Sequence, residues 1–303
     1  MAVTAQMVKE LRERTGAGMM DCKKALVETD GDMDKAIETL REKGLAKAAK
    51  KAGRIAAEGL VRIAFSEGNK EAALIEVNSE TDFVAKNPEF VEFVEDMAGL
   101  ALVTDAGSME EFSATAYDGT TVAEALTAKI SKIGENLNVR RFEKCGTPGV
   151  VYTGYIHGGG KIGVIVGIQT EATAAEIEAV GKDVAMQVAS MRPQFLDETQ
   201  VDQQWLASET EIAKQQLLNE GKKPELLDKI IPGKIKALLK EVCLVDQKFV
   251  KNSDLTVEQY VAEEAKKLGK DMKIVEMIRY EVGEGIEKKE ENFAEEVAKQ
   301  MNS

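Results

Sequence analysis

Gly59-Leu60-Val61-Arg62-Ile63-Ala64-Phe65, a turn at Ser66-Glu67-Gly68-Asn69 and the apolar run from Ala72 to Val77 make a hairpin pattern, and the chain writes it twice. The second copy runs Gly149-Val150-Val151-Tyr152-Thr153-Gly154-Tyr155-Ile156, turns at His157-Gly158-Gly159-Gly160 and continues from Ile162 to Gln169. A helix pattern follows each hairpin, Pro88 to Leu102 in the first copy and about Thr173 to Met191 in the second. Hairpin then helix, twice over, predicts an α+β fold of two duplicated subdomains, each an antiparallel sheet with helices on one face. Leu137 to Phe142 reads as a further strand of the first half, and Val242 to Val250 and Lys273 to Val282 as further strands of the second.

Upstream of the first hairpin, three short helices with glycine punctuation are predicted. Val8 and Leu11 follow an N-cap at Thr4; Met19, Cys22 and Leu26 form a second apolar stripe; Met33, Ala36, Ile37 and Leu40 form a third after Asp32, with stops at Gly16, Gly31 and Gly44. From Arg41 to Arg54 six basic residues face one acid, Glu42, on an alanine-rich helical background. That connector is either a solvated helix face or a docking strip for an acidic surface. Between the second copy's helix and its late strands, Asp202 to Leu239 reads as two helices joined at Glu220-Gly221-Lys222-Lys223-Pro224, an antiparallel hairpin that packs on the core or pairs with a second copy. The close of the chain is a glycine-relieved turn, Gly283 to Glu287, and an amphipathic helix from Asn292 to Met301. The expected partition is 1–45, a three-helix domain; 46–58, a basic linker helix; 59–145, the first core subdomain; 146–201 with 240–282, the second; 202–239, the hairpin; and 283–303, a C-terminal helical module.

Composition narrows the function. At 303 residues with 40 Lys+Arg against 53 Asp+Glu, the net charge is -13, which repels phosphate backbones and argues against nucleic acid as the main partner. Three scattered cysteines without a C-x-x-C pair predict buried free thiols in a reducing compartment, hence the cytoplasm. The longest apolar run is too short to span a bilayer, so no membrane association is expected. A single histidine, His157, leaves no material for a His-based metal site or a Ser-His-Asp arrangement. Gly158-Gly159-Gly160-Lys161-Ile162-Gly163 satisfies G-x-G-x-x-G, but a strand follows where dinucleotide binding needs a helix N-terminus. With no G-x-x-x-x-G-K-[ST] loop either, no cofactor, no metal and no directly bound nucleotide are expected, and the chain reads as a non-catalytic protein.

The most informative connection is Ser79-Glu80-Thr81-Asp82-Phe83-Val84-Ala85-Lys86-Asn87-Pro88. Asn87 reads as an N-cap with proline at the first helical position, which leaves Asp82 and Phe83 on the turn before it. A phenyl ring there either folds back into its own core or is offered to another molecule.

Taken with that connection, Gly16 to Leu26, Lys132-Ile133-Gly134-Glu135-Asn136, His157-Gly158 and Glu281-Val282-Gly283-Glu284-Gly285-Ile286 give a chain that closely resembles the bacterial translation elongation factor Ts family over essentially its whole length. The resemblance implies a guanine-nucleotide exchange factor for elongation factor Tu with a ubiquitin-associated (UBA)-like N-terminal domain, a duplicated core, a coiled-coil dimerisation hairpin and a C-terminal module. It assigns Thr81, Asp82, Phe83 and Val84 to a loop that intrudes on the partner's Mg2+ and phosphate site. It makes Met19 and Met20 a pad for the GTPase domain, against the core placement that periodicity gives Met19. Lys23, Ile133, Gly134 and His157 become further contact positions. Two other readings compete, an adaptor that only tethers two proteins and an RNA-associated ribosomal accessory protein using Lys47 to Arg54.

Overall fold

A computed structural model describes residues 3–15 and 17–287. In chain order it contains α1 (Ala5–Thr15), α2 (Met19–Glu28), α3 (Met33–Lys51), β1 (Glu58–Phe65), β2 (Ala72–Ser79), α4 (Asp82–Ala85) and α5 (Pro88–Val103). Then come α6 (Met109–Ala114), β3 (Ala116–Tyr117), β4 (Thr120–Thr121), α7 (Val122–Ile133), β5 (Leu137–Cys145), β6 (Val150–His157) and β7 (Ile162–Gln169). The remainder is α8 (Ala174–Met191), α9 (Gln203–Asn219), α10 (Pro224–Val242), β8 (Lys248–Phe249), β9 (Asn252–Thr256), α11 (Val257–Leu268) and β10 (Lys273–Glu281). The chain divides into two compact units, one whose described part is 3–15, 17–62, 75–142 and 281–287, the other 63–74 and 143–280. The helix expected over Asn292 to Met301 lies outside the described residues.

Two three-stranded sheets carry the fold, in the orders β1-β2-β5 and β6-β7-β10. In both, the hairpin's second strand is central and a strand from much later in the chain lies on its far side. Centrality explains the burial: all eight residues of β2 are buried, and β7 is buried except at its two ends. β6 and β7 are antiparallel with His157 opposite Ile162 at the closed end. The Gly158-Gly159-Gly160 run is therefore a hairpin turn, and all three glycines take positive φ, a backbone that side-chain-bearing residues resist.

In the first unit, Val8, Leu11, Cys22, Ala25, Leu26 and Ala36 make the core of a three-helix bundle. The Thr4 hydroxyl accepts the Met7 N–H at 3.2 Å, and the Asp32 side chain caps α3 by accepting from the Lys35 N–H at 3.1 Å. Two expectations fail here. Gly44 does not end the third helix: α3 continues to Lys51, and Gly44 is buried with Ser131 of α7 beside the place of its missing side chain, so glycine serves close helix packing. Met19 is not on the core stripe; it is the first residue of α2 and is 58% exposed. The basic stretch is largely cross-linked within the unit. Arg41 pairs with Glu124, Lys43 with Glu28, Lys47 with Asp21 and Arg54 with Glu80, so these cations hold α3 to α2, to α7 and to the strand exit.

A fully buried carboxylate, Glu76 of β2, organises the other side of this unit. It accepts from Arg141 Nε at 2.6 Å, Arg140 Nη1 at 3.1 Å, Asn78 Nδ2 at 3.0 Å and the Gly283 N–H at 2.7 Å. Burial alone would raise its pKa, but these donors together hold it below the ordinary carboxylate value. The turn expected at Gly283 to Glu287 is thereby fastened to β2 and β5, with Gly283 and Gly285 both at positive φ.

In the second unit, Val164, Val166 and Ile168 on one face of β7 meet Ile177, Val180, Val184 and Val188 along α8, the period of 2 in a strand against the period of 3.6 in a helix. Gly181 lets the helix close: a Cβ there would lie 2.1 Å from Thr153 Oγ1 on β6. Helices α9 and α10 form a hairpin that starts at the cap Asp202, whose side chain accepts the Trp205 N–H at 2.8 Å. Its base packs around Val201, Val242 and Cys243 with Phe195 and Trp205 against them, and Leu217 and Leu227 are buried between the two helices nearer the turn. The strand expected over Val242 to Val250 is not formed. Helix α10 runs to Val242, a 3-10 turn follows at Leu244 to Asp246, and only Lys248–Phe249 is extended, paired with β9. Apolar character there reflects a buried turn, with Cys243 and Leu244 fully covered. Helix α11, which the sequence reading passed over, starts at Thr256 with a complete capping box to Gln259.

Candidate partner-binding site

The segment that leaves β2 is a single helical turn, not a loop. Thr81 caps it: its hydroxyl accepts weakly from the Val84 N–H at 3.4 Å, and the Ser79 hydroxyl donates to the Thr81 carbonyl at 2.9 Å. Val84 and Ala85 are buried, so one flank of α4 is fixed to the unit. The other flank offers Phe83, whose side chain is 80% exposed. An inward-folded ring is thus excluded, and Phe83 is an apolar group held out into water. Asp82 on the same turn pairs with Lys86 at 2.6 Å. Asn87 then caps α5, accepting the Glu89 N–H at 2.9 Å ahead of the proline that begins the helix, as the sequence indicated.

Residues 135 and 136 lock this turn to the end of α7. The Glu135 carboxylate accepts the Thr81 N–H at 3.0 Å and the Thr81 hydroxyl at 2.7 Å. Glu80 Oε1 accepts the Asn136 N–H at 2.5 Å, and Asn136 Nδ2 donates to the Arg54 carbonyl at 2.7 Å. Helix α7 ends in the glycine-favoured left-handed cap at Gly134, φ 92°, whose N–H bonds the Ile130 carbonyl. Ile133 is half-buried and Gly134 exposed. A second tie runs from α7 to the start of α5: Lys129 and Lys132 donate to Glu89 at 2.9 Å each. Burial opposes the charge on Glu89, yet the two ammonium groups hold its carboxyl below the ordinary range. The structure therefore brings Thr81 to Val84 and Ile133-Gly134 together.

Met19 and Met20 belong to the same unit. They are 58% and 62% exposed at the start of α2, with Lys23 exposed one turn on. A groove of about 500 Å3 separates that helix start from the end of α7, lined by Gly18, Asp21, Leu40, Lys47, Ser131 and Lys132 among others. Asp21 is held below its ordinary pKa chiefly by the hydrogen bond from Lys47. His157 lies in the other unit, exposed at the last position of β6, with its Nδ1 2.9 Å from the Tyr155 hydroxyl.

Glu80, Glu135 and Asn136 are the site residues that sequence reasoning did not single out. Among the described residues no group of three or more His, Cys, Asp or Glu is placed to hold a metal ion, and no helix is long and apolar enough to cross a membrane. The thiols are buried and free. Burial pushes Cys145 up to about 12 and Cys243 up to about 11, which keeps both protonated and unreactive.

Comparison with known proteins gives one consistent result. A family model described as elongation factor TS matches residues 80–284. The chain is 57% identical over 300 residues to the elongation factor Ts of Clostridioides difficile (strain 630), covering 99% of each chain. It is 56% identical over 303 residues to that of Clostridium novyi (strain NT), again covering 99% of each. Against that of Clostridium botulinum (strain Alaska E43 / Type E3) it is 51% identical over 300 residues, with the same coverage.

Proposed function

This chain belongs to the elongation factor Ts family, and on that premise we propose that it is the guanine-nucleotide exchange factor of elongation factor Tu in the elongation stage of protein synthesis. The observation that carries the reading is Phe83, 80% exposed on a helical turn whose backbone is pinned by Thr81, Val84 and Ala85. A large apolar group kept in water at a fixed direction is the form of a wedge: its burial in a partner contributes about 2 kcal/mol, and no ordering of its carrier subtracts from that.

A GTPase holds GDP through backbone donors around the phosphates and through Mg2+, so a ring that shifts the adjacent elements weakens several bonds together. In this chain Phe83 enters the partner, while Asp82 brings negative charge toward the displaced metal region. Thr81 and Val84 fix the turn that carries both. Ile133 and Gly134, held beside that turn through Glu135, meet the partner with it; Met19, Met20 and Lys23 form a second contact, two soft apolar side chains and one cation. His157 contributes from the second unit. The effect on GDP is reciprocal: if this protein loosens GDP, GDP loosens this protein by the same factor, so exchange runs either way without chemistry in this chain. Cytoplasmic action as a soluble partner of Tu follows from the same reading.

Self-association through 202–239 is a separate part of the proposal, supported by Ile212 and Leu226, exposed apolar residues on α9 and α10. Sedimentation of a chain lacking that hairpin tests it; an unchanged oligomeric state removes it.

The test of exchange is direct. Elongation factor Tu loaded with fluorescent GDP is mixed with this chain and excess unlabelled nucleotide, and release is followed. Strong acceleration is expected, lost in large part with Phe83→Ala and little changed with Lys51→Ala. Binding without acceleration would make the protein a tether, and dependence on added RNA would favour a ribosomal accessory role.

A further inference from the structure

Two carboxylates in the first unit reach across to each other's chain segment in the same way. Glu80 accepts the N–H of Asn136, the residue after Glu135, and Glu135 accepts the N–H of Thr81, the residue after Glu80. We infer that Glu80 and Glu135 form a reciprocal clasp that sets the direction of Phe83, with Glu135 a positioning residue for exchange; the inference rests on the exchange reading above.

The geometry explains why a clasp is needed. Phe83 is too exposed for packing to fix its ring, so its direction depends on the backbone of α4. Burial of Val84 and Ala85 anchors one flank of that turn and leaves rotation about the flank open. Thr81, the capping residue, closes that freedom: its N–H and hydroxyl are both taken by one carboxylate, while its oxygen receives the Val84 N–H. Two segments joined at two points, Glu80 to Asn136 and Glu135 to Thr81, cannot twist about a single bond. A third segment is tied in, since Asn136 Nδ2 holds the Arg54 carbonyl and Arg54 Nη1 lies 3.5 Å from Glu80. Hydrogen bonds donated to carboxylate acceptors are the stronger class and suit this work. A preset direction raises the rate because the ordering is complete before the partner arrives.

The test uses the full chain and stopped-flow release of fluorescent GDP at saturating exchange factor. Glu135→Ala is expected to lower the maximal release rate about tenfold, the size of one charge-assisted hydrogen bond. Glu135→Gln is expected to recover most of that loss, because its amide oxygen still accepts the Thr81 N–H and its amine can donate to the Thr81 oxygen. In a Phe83→Ala background, Glu135→Ala should cost far less, since the ring is the main group it directs. Equal loss in both backgrounds overturns the clasp and leaves the exchange reading intact. Glu135→Gln as slow as Glu135→Ala overturns it too, pointing to a charge that meets the partner. If Phe83→Ala alone leaves release unchanged, the wedge itself fails and the clasp with it. Thermal melting checks each variant; should Glu135→Ala unfold early, Thr81→Val, which removes the hydroxyl alone, is read by the same criterion.

Discussion

The two hairpins leave their sheets differently. Seven residues separate Ser79, the end of β2, from the cap Asn87, whereas three separate Gln169, the end of β7, from the cap Thr173. The excess of four is one helical turn, and that turn is α4. The short exit buries its apolar residue, Ala172, while the long one holds Phe83 in water. A repeated frame thus supplies two equivalent strand-to-helix junctions, and an extra turn makes one of them the proposed partner-binding site. The central strands differ in the same spirit. At the fifth position β7 places Val166 in an apolar core, and β2 places Glu76 among two arginines, an amide and a backbone N–H.

The largest effect should come from that fifth position. Removing the buried carboxylate takes away the acceptor that Arg140, Arg141, Asn78 and the Gly283 N–H share, so Glu76→Ala should cost about 3 kcal/mol in urea unfolding. Val166→Ala should cost about 2 kcal/mol, the transfer value of the lost methyls. Because the folded pKa of Glu76 is depressed below 4.5, its stabilisation is complete above that value and is lost as pH falls through the folded pKa. The gap between wild type and Glu76→Gln should therefore narrow in acid, and a gap that does not change with pH would break the contrast.

Next in size is Phe83→Ala, expected to lower the exchange rate about 30-fold, equivalent to about 2 kcal/mol, with the melting temperature unchanged because the ring touches little of its own fold. The caps should then show the two junctions to be alike: Asn87→Ala and Thr173→Ala should each cost about 1 kcal/mol by thermal unfolding. Smallest is Lys86→Ala, which opens an exposed pair with Asp82 on the inserted turn and should change stability by less than about 0.5 kcal/mol. A large effect of Lys86 on exchange would mean that the charge on the turn matters as much as its ring.

Much of this frame was legible. Strands with apolar faces, the caps at Thr4 and Asn87, and the glycine turn after His157 all rest on local chemistry that sequence carries. The inserted turn was legible only as a connection, since four residues are too few for a helical period to declare itself. Met19 shares the phase of Cys22 and Leu26, but as the first residue of its helix it lies past the packed part of the stripe. Gly44 looked like a stop because a helical glycine and a terminal glycine read alike until a neighbour such as Ser131 is seen. Helix α11 carries its signal in Thr256 followed by Gln259. Glu135 had none, because a carboxylate that bonds a backbone 54 residues away leaves no trace in local pattern.

The close approach of α8 to β6 sets a rule for anyone hoping to toughen this molecule by design. Swapping a mid-helix glycine for alanine is ordinarily a gain of about 1 kcal/mol, and Gly99 on α5, with open space where its side chain would go, invites it. Gly181 looks identical on paper and is the opposite case, because the added methyl would collide with Thr153 and force the helix off its sheet.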